Sequence, residues 1–399
     1  MTTTIGKVRV TGRGRRWLEH GHPWLYANDV ESVESEPGSL VRVEAPDARV
    51  LGHGLYSAGS KIRVRMVTRG SREPDAALWA ERAARAVGRR RLHGFLEPRA
   101  ACRLVAGDAD GFPGWIVDRY ADTLIVQSGT QAGDRLRDEW LALIERELGL
   151  PISFVLDRSE SAVRRFEGLA ARTEVLRGSP PASLEIEEEG LRYAVDVVGG
   201  HKTGHYLDQR DNRKLAARHA LGARVLDVFS YDGLFGIRAA LAGARSVLCL
   251  DQSEAALERA RENAARNGVA DRVATERVDA LRDLRERSKT EQRYELVIVD
   301  PPAFAKNKSE LEGAERGYRE LNLRALRLTE PGGLLVSASC SYAVRPELYV
   351  EWLARAAGDA GRDAWLEALT GASLDHPHLV TLPESAYLKC AFLRVGGAA

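Results

Sequence analysis

The chain has 399 residues, of which 44% are hydrophobic and 29% are charged. This composition excludes a disordered protein, and the length predicts two or three domains. The net charge of +1 at pH 7 gives no overall electrostatic argument for a nucleic-acid partner. Residues 1–72, however, carry twelve Lys and Arg residues against seven Asp and Glu residues. This surplus indicates either a local face that binds phosphate groups or an ordinary solvated basic surface.

The four cysteines are widely scattered, and none of them forms a C-x-x-C pair. They therefore indicate neither a disulfide framework nor a metal site. The first ten residues lack the apolar segment of a signal peptide, and no run of about 18 apolar residues occurs. We expect a cytoplasmic protein with reduced thiols, no membrane partner and no bound metal.

Short β-forming segments separated by Gly, Pro, Ser and Asp predict a small all-β domain at residues 1–72. A helical pattern over Pro74–Leu92 follows, and strand–strand–helix–strand order then predicts a small α+β domain. The dipeptide Glu189-Gly190 is typical of a hairpin turn. From Gly199 onward helical and strand patterns alternate, which predicts a doubly wound parallel sheet. The predicted domains are 1–72, 73–181 and 182–399.

The stretch Val225–Asp251 organises the last domain: a buried strand, a turn, a helix and a second strand that ends in an acid. In nucleotide-binding sheets such an acid accepts hydrogen bonds from ribose hydroxyls. Phe229 and Tyr231 stand where the dinucleotide fingerprint has glycines, so a pyrophosphate could not approach. A ligand with a ribose and no diphosphate, such as S-adenosylmethionine, suits this turn. Another kind of α/β protein, with Asp251 merely capping the next helix, explains the stretch equally well.

Two further segments carry candidate chemistry at strand ends. Asp300-Pro301-Pro302-Ala303-Phe304 follows an apolar run, and the two prolines would end the strand and hold Asp300 towards a crevice suited to a planar base. Cys340 lies between two serines at the end of the next strand. It can act as a nucleophile if a partly polar pocket supports its thiolate. Cys102, Cys249 and Cys390 offer no comparable position.

The loop Gly200–Asp211 is polar, basic and marked by glycines, and it leads into a helix predicted over Tyr206–Ala220. Such a loop could close one side of a cofactor pocket. Its acids Asp208 and Asp211 would equally serve to compensate the charge of a helix N-terminus. His201 and His205 are four residues apart, but no carboxylate-bearing metal motif accompanies them.

Phrases along nearly the whole chain resemble those of known RNA-modifying enzymes. Residues 21–26 and 52–65 resemble a PUA domain, an RNA-binding β-barrel. The chain as a whole resembles the bacterial RlmI-type large-subunit rRNA cytosine-5 methyltransferases. The phrases that carry this resemblance are Gly107–Tyr120, His201–Arg213, Asp227–Gly236, Asp300–Phe304, Ser339–Ser341 and Tyr387-Leu388-Lys389.

The resemblance implies a multidomain α/β protein with a PUA-like β-barrel, a small α+β middle domain and a Rossmann-like class I methyltransferase domain. It implies S-adenosylmethionine-dependent methylation of cytosine C5 in 23S rRNA, in which Asp300 contacts the target base and Cys340 attacks it. The candidate cofactor residues are Tyr206, Gln209, Asp227, Phe229, Ser230, Tyr231, Gly233, Asp251, Gln252, Asp279, Ala280 and Asp300. The candidate contacts to the base are Lys202, Pro301, Pro302 and Phe304.

One departure from the wider group of RNA cytosine-5 methyltransferases affects the mechanism. Many of those enzymes release the product with a second cysteine after the Pro of this motif, but Ala303 and Phe304 stand here. Another, unidentified base must therefore act.

Three alternatives remain open: methylation of a guanine nitrogen, which needs no thiolate; methylation of uridine C5; and a non-catalytic rRNA-binding assembly factor. A homodimer is also possible.

Overall fold

The computed structural model describes residues 5–200, 203–305 and 307–398. The chain forms two compact units. The N-terminal unit comprises Met1–Ile186, Val195–His205 and Asp375–Ser385, and the C-terminal unit comprises Glu187–Ala194, Tyr206–Leu374 and Ala386–Ala399. The division into three domains at residues 72 and 181 stays a prediction.

The N-terminal unit begins with a six-stranded sheet whose spatial order is β2-β6-β5-β4-β1-β3. The strands are β1 (Gly6–Val10), β2 (Trp24–Tyr26), β3 (Val30–Glu34), β4 (Leu40–Glu44), β5 (Val50–Tyr56) and β6 (Ile62–Arg69). Alternate residues such as Val8, Val10, Val41 and Val43 are fully buried, as the two-residue period of a strand requires.

The all-β expectation for residues 1–72 is wrong in one place, because helix α1 occupies Gly12–Glu19. Thr11 caps this helix by accepting a hydrogen bond from the Gly14 N–H. Only Gly14 and Leu18 are buried along it, so the apolar pattern is too sparse to predict a helix.

A second sheet and two long helices complete the described part of the N-terminal unit. The helices are α2 (Ala76–Leu92), α3 (Gln131–Leu148) and the short α4 (Val163–Phe166). The strands are β7 (Ala101–Ala106), β8 (Trp115–Tyr120), β9 (Thr123–Ser128), β10 (Phe154–Ser159) and β11 (Arg172–Arg177), in the order β11-β10-β9-β8-β7. Trp79, Phe112, Trp115 and Trp140 pack against one another in its core, in tilted and edge-to-face arrangements. The predicted helix after residue 74 and the α+β character are confirmed.

The C-terminal unit contains a seven-stranded sheet in the order β16-β15-β14-β17-β18-β20-β19. Its strands are β14 (Arg224–Val228), β15 (Ser246–Asp251), β16 (Val273–Arg277), β17 (Tyr294–Val299), β18 (Thr329–Ser339), β19 (Arg362–Thr370) and β20 (Lys389–Ala398). Its helices are α5 (Arg210–Ala217), α6 (Leu234–Leu241), α7 (Glu254–Arg266), α8 (Ala280–Arg287), α9 (Leu311–Leu328) and α10 (Pro346–Ala360). The strand order reverses between β14 and β17, and ligands bind at such a switch point in open α/β sheets.

Before this sheet the chain makes the predicted hairpin, β12 (Glu185–Glu188) and β13 (Leu191–Ala194). Its turn residues Glu189 and Gly190 have positive φ angles of 48° and 81°. Two positive φ angles are what a two-residue hairpin turn of this hand requires. The hairpin prediction is confirmed.

The sheet of the C-terminal unit is mixed rather than wholly parallel, which corrects the sequence expectation. The five strands β16, β15, β14, β17 and β18 are parallel, whereas β20 runs antiparallel to both β18 and β19. Strand β19 is an edge strand with exposed Trp365 and Leu369, so it lacks the pattern of a buried strand.

The predicted helix over Tyr206–Ala220 is also corrected. A 3₁₀ turn at Leu207–Gln209 precedes α5, which ends at Ala217. The carbonyl oxygen of Asp208 accepts a hydrogen bond from the Ser373 N–H at 2.9 Å, so a tertiary contact takes a group that the α-helical ladder would use.

Within the described ranges, no helix has both the length and the apolar character needed to cross a membrane. The same ranges contain no cluster of three or more His, Cys, Asp or Glu side chains that could hold a metal ion.

Candidate functional site

The turn between β14 and α6 has an unusual backbone. Phe229 and Tyr231 have φ angles of 61° and 52°, and Gly233 has a φ angle of 77°. Residues other than glycine pay about 1–3 kcal/mol for such a conformation, and it persists where the surroundings enforce it, often at functional sites. Here the Ser230 N–H bonds to the Leu250 carbonyl at 3.0 Å, and the Gly233 N–H bonds to the Ser230 carbonyl at 2.8 Å.

Asp251 lies half-buried at the carboxyl end of β15, directly beside this turn. Its two carboxylate oxygens accept hydrogen bonds from the N–H groups of Tyr231 and Ser253, both at 2.9 Å. Ser253, and not Asp251, caps α7 by accepting from the Ala256 N–H. An ionised carboxylate offers about four acceptor positions, so Asp251 keeps capacity for the two hydroxyls of a ribose.

Two aromatic rings pack together at the turn whose Tyr231 N–H binds Asp251. The Tyr231 ring meets the Tyr206 ring edge to face at 5.3 Å between centroids, and the guanidinium of Arg259 lies 5.0 Å from the Tyr231 ring centre. Tyr206, Phe229 and Tyr231 are all half-buried. Acceptors for a ribose beside apolar ring surface fit the nucleoside part of S-adenosylmethionine.

Asp227 is fully buried beneath the turn and accepts a hydrogen bond from the Gly236 N–H at 2.9 Å. Burial raises the pKa of the Asp227 carboxyl to about 7, and the nearby carboxylates of Asp300, Asp251 and Asp232 add to this shift. Asp227 thus ties strand β14 to helix α6, and its carboxylate group can be neutral at physiological pH.

Three other candidate cofactor residues, Asp279, Ala280 and Gln252, lie at a helix cap, in the core and at the surface. Asp279 caps α8 by accepting from the Arg282 N–H at 2.9 Å, and Ala280 is buried in the core. Gln252 is exposed. Their roles towards a ligand stay predictions.

Gln209 is buried in the 3₁₀ turn before α5, and its side-chain oxygen accepts a hydrogen bond from the Asn212 amide at 2.6 Å. Lys202, the predicted contact to the base in the preceding loop, lies outside the described residues.

Asp300 and Cys340 follow neighbouring parallel strands. Strands β17 and β18 pair in the register Val299 with Ser337, and the Asp300 N–H bonds to the Val228 carbonyl of β14 at 3.3 Å. Asp300 and Cys340 both influence the ionisation of Tyr206. Burial raises the pKa of the Tyr206 phenol, and the negative charges of surrounding groups, which include Asp300 and Cys340, raise this pKa further. The structure therefore places the two predicted catalytic residues at the carboxyl ends of the neighbouring strands β17 and β18.

Cys340 differs from the other three cysteines in its exposure. Cys102, Cys249 and Cys390 are buried, whereas Cys340 is half-buried. Burial raises the pKa of the Cys249 and Cys390 thiols well above the ordinary value, which disfavours their thiolates. Cys340 is thus the cysteine with the access that a nucleophile needs.

The two serines on either side of Cys340 are fixed by one tyrosine. The Ser339 hydroxyl donates to the Tyr318 hydroxyl at 2.9 Å, and the Tyr318 and Ser341 hydroxyls bond to each other at 2.9 Å. Ser341 also accepts the Ala305 N–H at 3.1 Å. This network ties the turn that carries Cys340 to helix α9 and to the segment after Asp300.

The segment after Asp300 is anchored by its aromatic residue. The Phe304 ring lies 4.6 Å from the Tyr318 ring, centroid to centroid, and a β-carbon at Gly317 would meet it at 2.9 Å. Pro301 is buried and Pro302 is exposed. Of the predicted base contacts, Pro302 is thus open to solvent, while Phe304 holds the segment against helix α9.

Lys389 is a charged residue of this site to which the sequence reasoning gave no role. It is 2% exposed, and its ammonium donates to the carbonyls of Ser341 at 2.7 Å and Tyr387 at 2.9 Å. Burial lowers the pKa of Lys389 to about 8, and the Cys340 thiolate partly offsets this shift. The one sequence signal for it was the phrase Tyr387-Leu388-Lys389, which forms part of the family resemblance.

Comparisons with known proteins bear on both ends of the chain. The family described as S-adenosylmethionine-dependent methyltransferase matches residues 161–371, more than half of the chain. The family described as PUA-like domain matches residues 8–69.

Among curated relatives, the ribosomal RNA large subunit methyltransferase I of Shewanella amazonensis is 41% identical over 395 residues, which cover 98% of this chain and 99% of the relative. The protein of the same name from Aeromonas salmonicida is 39% identical over 398 residues and 96% of this chain. The predicted family resemblance is confirmed by these matches.

Solved structures support the fold. A candidate S-adenosylmethionine-dependent methyltransferase from Streptococcus mutans superposes with a TM-score of 0.83 at 20% identity, covering 98% of this chain and 100% of its own. A candidate methyltransferase solved in complex with SAH gives the same values. These structures confirm the predicted fold, and the match to the S-adenosylmethionine-dependent methyltransferase family confirms the predicted cofactor class. The chain belongs to the family of S-adenosylmethionine-dependent methyltransferases that includes the ribosomal RNA large subunit methyltransferase I proteins.

Proposed function

We propose that this chain methylates C5 of a cytosine in large-subunit ribosomal RNA in the cytoplasm, through a covalent bond between Cys340 and C6 of the base. The proposal is carried by one observation: Cys340, the one half-buried cysteine, follows the strand next to the one that ends at Asp300. The names of the full-length relatives support the ribosomal RNA substrate. The PUA-like domain supports an RNA partner.

A nucleophilic cysteine answers a specific chemical difficulty. C5 of cytosine is a poor nucleophile, and addition of a thiolate to C6 moves electron density onto C5. In its protonated form Asp300 would hydrogen-bond N3 and stabilise the charge that develops in the ring during this addition. Once C5 carries the transferred methyl group, loss of its proton to a base restores the C5–C6 double bond, breaks the bond from C6 to sulfur and returns that electron pair to Cys340.

When bound, S-adenosylmethionine supplies an electrophilic methyl group on its sulfonium. Asp251 would accept hydrogen bonds from the ribose hydroxyls, while Phe229, Ser230, Tyr231 and Gly233 would line the methionine side. Asp279 would lie beside the adenine. The strained turn that contains Phe229, Tyr231 and Gly233 would exclude a pyrophosphate. The target base must be single-stranded or flipped out of a helix to reach this edge of the sheet.

The test incubates the full chain with labelled S-adenosylmethionine and unmodified large-subunit rRNA, beside the variant Cys340→Ala. We expect label at cytosine C5, lost in the variant. The matched control is Cys102→Ala, which removes a fully buried thiol from the N-terminal unit and should keep C5 labelling.

Label on a guanine nitrogen, or label that survives Cys340→Ala, would refute the thiolate mechanism while keeping a methyltransferase. Label at uridine C5 would change the base but keep the mechanism. Absence of label together with absence of cofactor binding in calorimetry would favour a non-catalytic assembly factor.

A further inference from the structure

Lys389 combines two features that rarely occur together. It is almost completely buried, and no carboxylate forms an ion pair with it in the part of the chain that the structure describes. Burying a charge is costly unless it is compensated, and two neutral carbonyl oxygens compensate an ammonium only in part. A negative group close to Lys389 would therefore be stabilised by it.

Strand pairing places Lys389 beside the turn that carries Cys340. Lys389 opens β20, and its α-carbon pairs with that of Ser339 at the end of β18. Its ammonium bonds to the carbonyl of Ser341. Lys389 is thus tied to the residue on each side of Cys340, by backbone pairing on one side and by its ammonium group on the other.

The ammonium group has three N–H donors, and two of them are taken by the carbonyls of Ser341 and Tyr387. The third remains. The Cys340 thiolate and Lys389 interact electrostatically, and the interaction favours the charged form of the lysine. By reciprocity the same interaction favours the charged form of the cysteine.

We infer that Lys389 is the positioning residue that holds Cys340 as a thiolate: a buried ammonium, fixed by two carbonyls beside the turn that carries the sulfur, that stabilises its negative charge. The inference deepens the proposed function and rests on it only for the role of Cys340 as a nucleophile. The thiol proton leaves to solvent, and Lys389 keeps its own proton. The sulfur electron pair then forms the bond to C6 and returns beside the same ammonium when that bond breaks.

Among the described residues, Tyr206 and Tyr318 also interact electrostatically with Cys340, and neither supplies a positive charge. Asp300 lies after β17, Tyr206 before α5 and Tyr318 on α9, and each carries negative charge or none. Asp208 accepts a hydrogen bond from the Tyr387 hydroxyl at 2.6 Å, which fixes a second residue whose carbonyl binds Lys389. Nearby carboxylates disfavour the negatively charged thiolate of Cys340. A fixed positive charge is therefore needed to stabilise it.

The test measures the rate of Cys340 alkylation by iodoacetamide against pH, by mass spectrometry, on the full chain without RNA. In the unmodified chain we expect a midpoint at least about one pH unit below the ~8.5 of a free cysteine. Lys389→Met should move the midpoint up by about one unit or more, which slows alkylation at pH 7 about tenfold. Lys389→Arg, which keeps the charge, should restore a low midpoint.

The matched control is Arg394→Met, which removes a cation from the same strand β20, where it pairs with Glu367. Its alkylation profile should not change. Calorimetry with S-adenosylmethionine should show that Lys389→Met keeps its cofactor affinity and thus its fold.

A midpoint in the unmodified chain equal to that of a free cysteine would overturn the inference without any variant. The inference also falls if Lys389→Met leaves the midpoint in place, whatever happens to methylation. Failure of the proposed function is a separate result, since it is read from Cys340→Ala in the labelling of rRNA.

Discussion

Asp227 sets a pH dependence of stability at the scale of a single residue. Burial raises the pKa of its carboxyl to about 7, whereas the unfolded chain has an ordinary aspartate. The folded protein therefore holds a proton that the unfolded chain gives up between about pH 4 and pH 7. The stabilising contribution of Asp227 is complete below this range and is lost as the pH rises through 7.

We predict that Asp227→Asn removes this loss of stability at high pH. The amide can still accept the Gly236 N–H, so the variant should match the parent near pH 4. At pH 8 its free energy of unfolding should be higher than that of the parent by up to about 4 kcal/mol, the equivalent of about three pKa units. Urea unfolding at the two pH values measures the difference.

Asp271→Asn, a change at an exposed position, serves as the control and should leave the pH dependence intact. A parent and Asp227→Asn whose stabilities differ by the same amount at pH 4 and pH 8 would contradict the assigned protonation.

Tyr318 is predicted to matter for rate as well as for stability. Tyr318→Phe leaves the hydroxyls of Ser339 and Ser341 without their shared partner, at a cost of about 1–3 kcal/mol. The turn that carries Cys340 then loosens. We expect kcat for rRNA methylation to fall about tenfold or more, because a small displacement of a reacting group has large effects on rate.

Tyr349→Phe is the matched control for this change. Tyr349 bonds to the Ser337 hydroxyl at 2.7 Å and to the Ala338 carbonyl at 3.1 Å, one step deeper in strand β18. Tyr349→Phe should lower the free energy of unfolding by about as much as Tyr318→Phe does, but it should change kcat little. Equal losses of kcat in both variants would show that the network acts through general stability alone.

Residues whose local sequence carries their chemistry could be predicted, and residues placed by distant pairing could not. Asp251 and Cys340 follow apolar strands, so their position at the carboxyl edge follows from the strand pattern. Lys389 lies beside Cys340 only because β20 returns antiparallel to β18, 48 residues after Ser341. No local sequence pattern predicts the pairing of β18 with β20.

At the scale of elements, the hairpin formed by β12 and β13 holds helix α5 through one buried acid. Glu188 accepts a hydrogen bond from Arg213 at 2.8 Å and lies 3.4 Å from Arg210. These arginines lower the pKa of Glu188 against the opposing effect of its burial. The sequence predicted the hairpin but not this link, because a buried acid and an exposed acid look alike in the pattern of β12.

We predict that Glu188→Gln is strongly destabilising. Removing one partner of a buried ion pair leaves uncompensated charge and costs about 3–5 kcal/mol. Since α5 follows the 3₁₀ turn that begins directly after Tyr206, S-adenosylmethionine affinity should also fall, by about tenfold. Thermal unfolding and calorimetry measure the two effects.

Glu187→Gln changes the neighbouring residue on the exposed side of β12 and is the matched control. Its effect on stability should stay within about 0.5 kcal/mol. If the two variants behave alike, the hairpin does not hold α5 through Glu188.

Two of the elements that escaped prediction, α1 and β19, have incomplete burial. Helix α1 buries only two residues, and β19 exposes both faces at several positions. The central strands β14 and β17 are mostly apolar and almost entirely buried, as strands covered on both faces are, and they were therefore predicted.

At the scale of the whole molecule, the arginines of helices α1 and α2 divide into structural and exposed cations. Arg90 is fully buried and bonds to Asp110 and to the carbonyls of Arg103 and Asp375. Arg82 and Arg91 likewise donate to backbone carbonyls. Arg82, Arg90 and Arg91 of α2 therefore support the fold of the N-terminal unit, and the sequence could not separate these arginines from phosphate-binding ones.

Helix α1, by contrast, exposes Arg13 and Arg16 together with Trp17, which is 40% exposed. We predict that Arg16→Glu weakens binding of rRNA about tenfold at low salt and reduces the slope of log affinity against log salt concentration by about 0.7–0.9, the value of one phosphate contact. Filter binding at several salt concentrations measures both. Arg218→Glu makes the same charge change at the C-terminus of α5, ahead of the amino end of β14 and so away from the candidate site, and it should alter neither quantity. Equal weakening by the two variants would mean that the RNA responds to net charge alone and that α1 does not contact it.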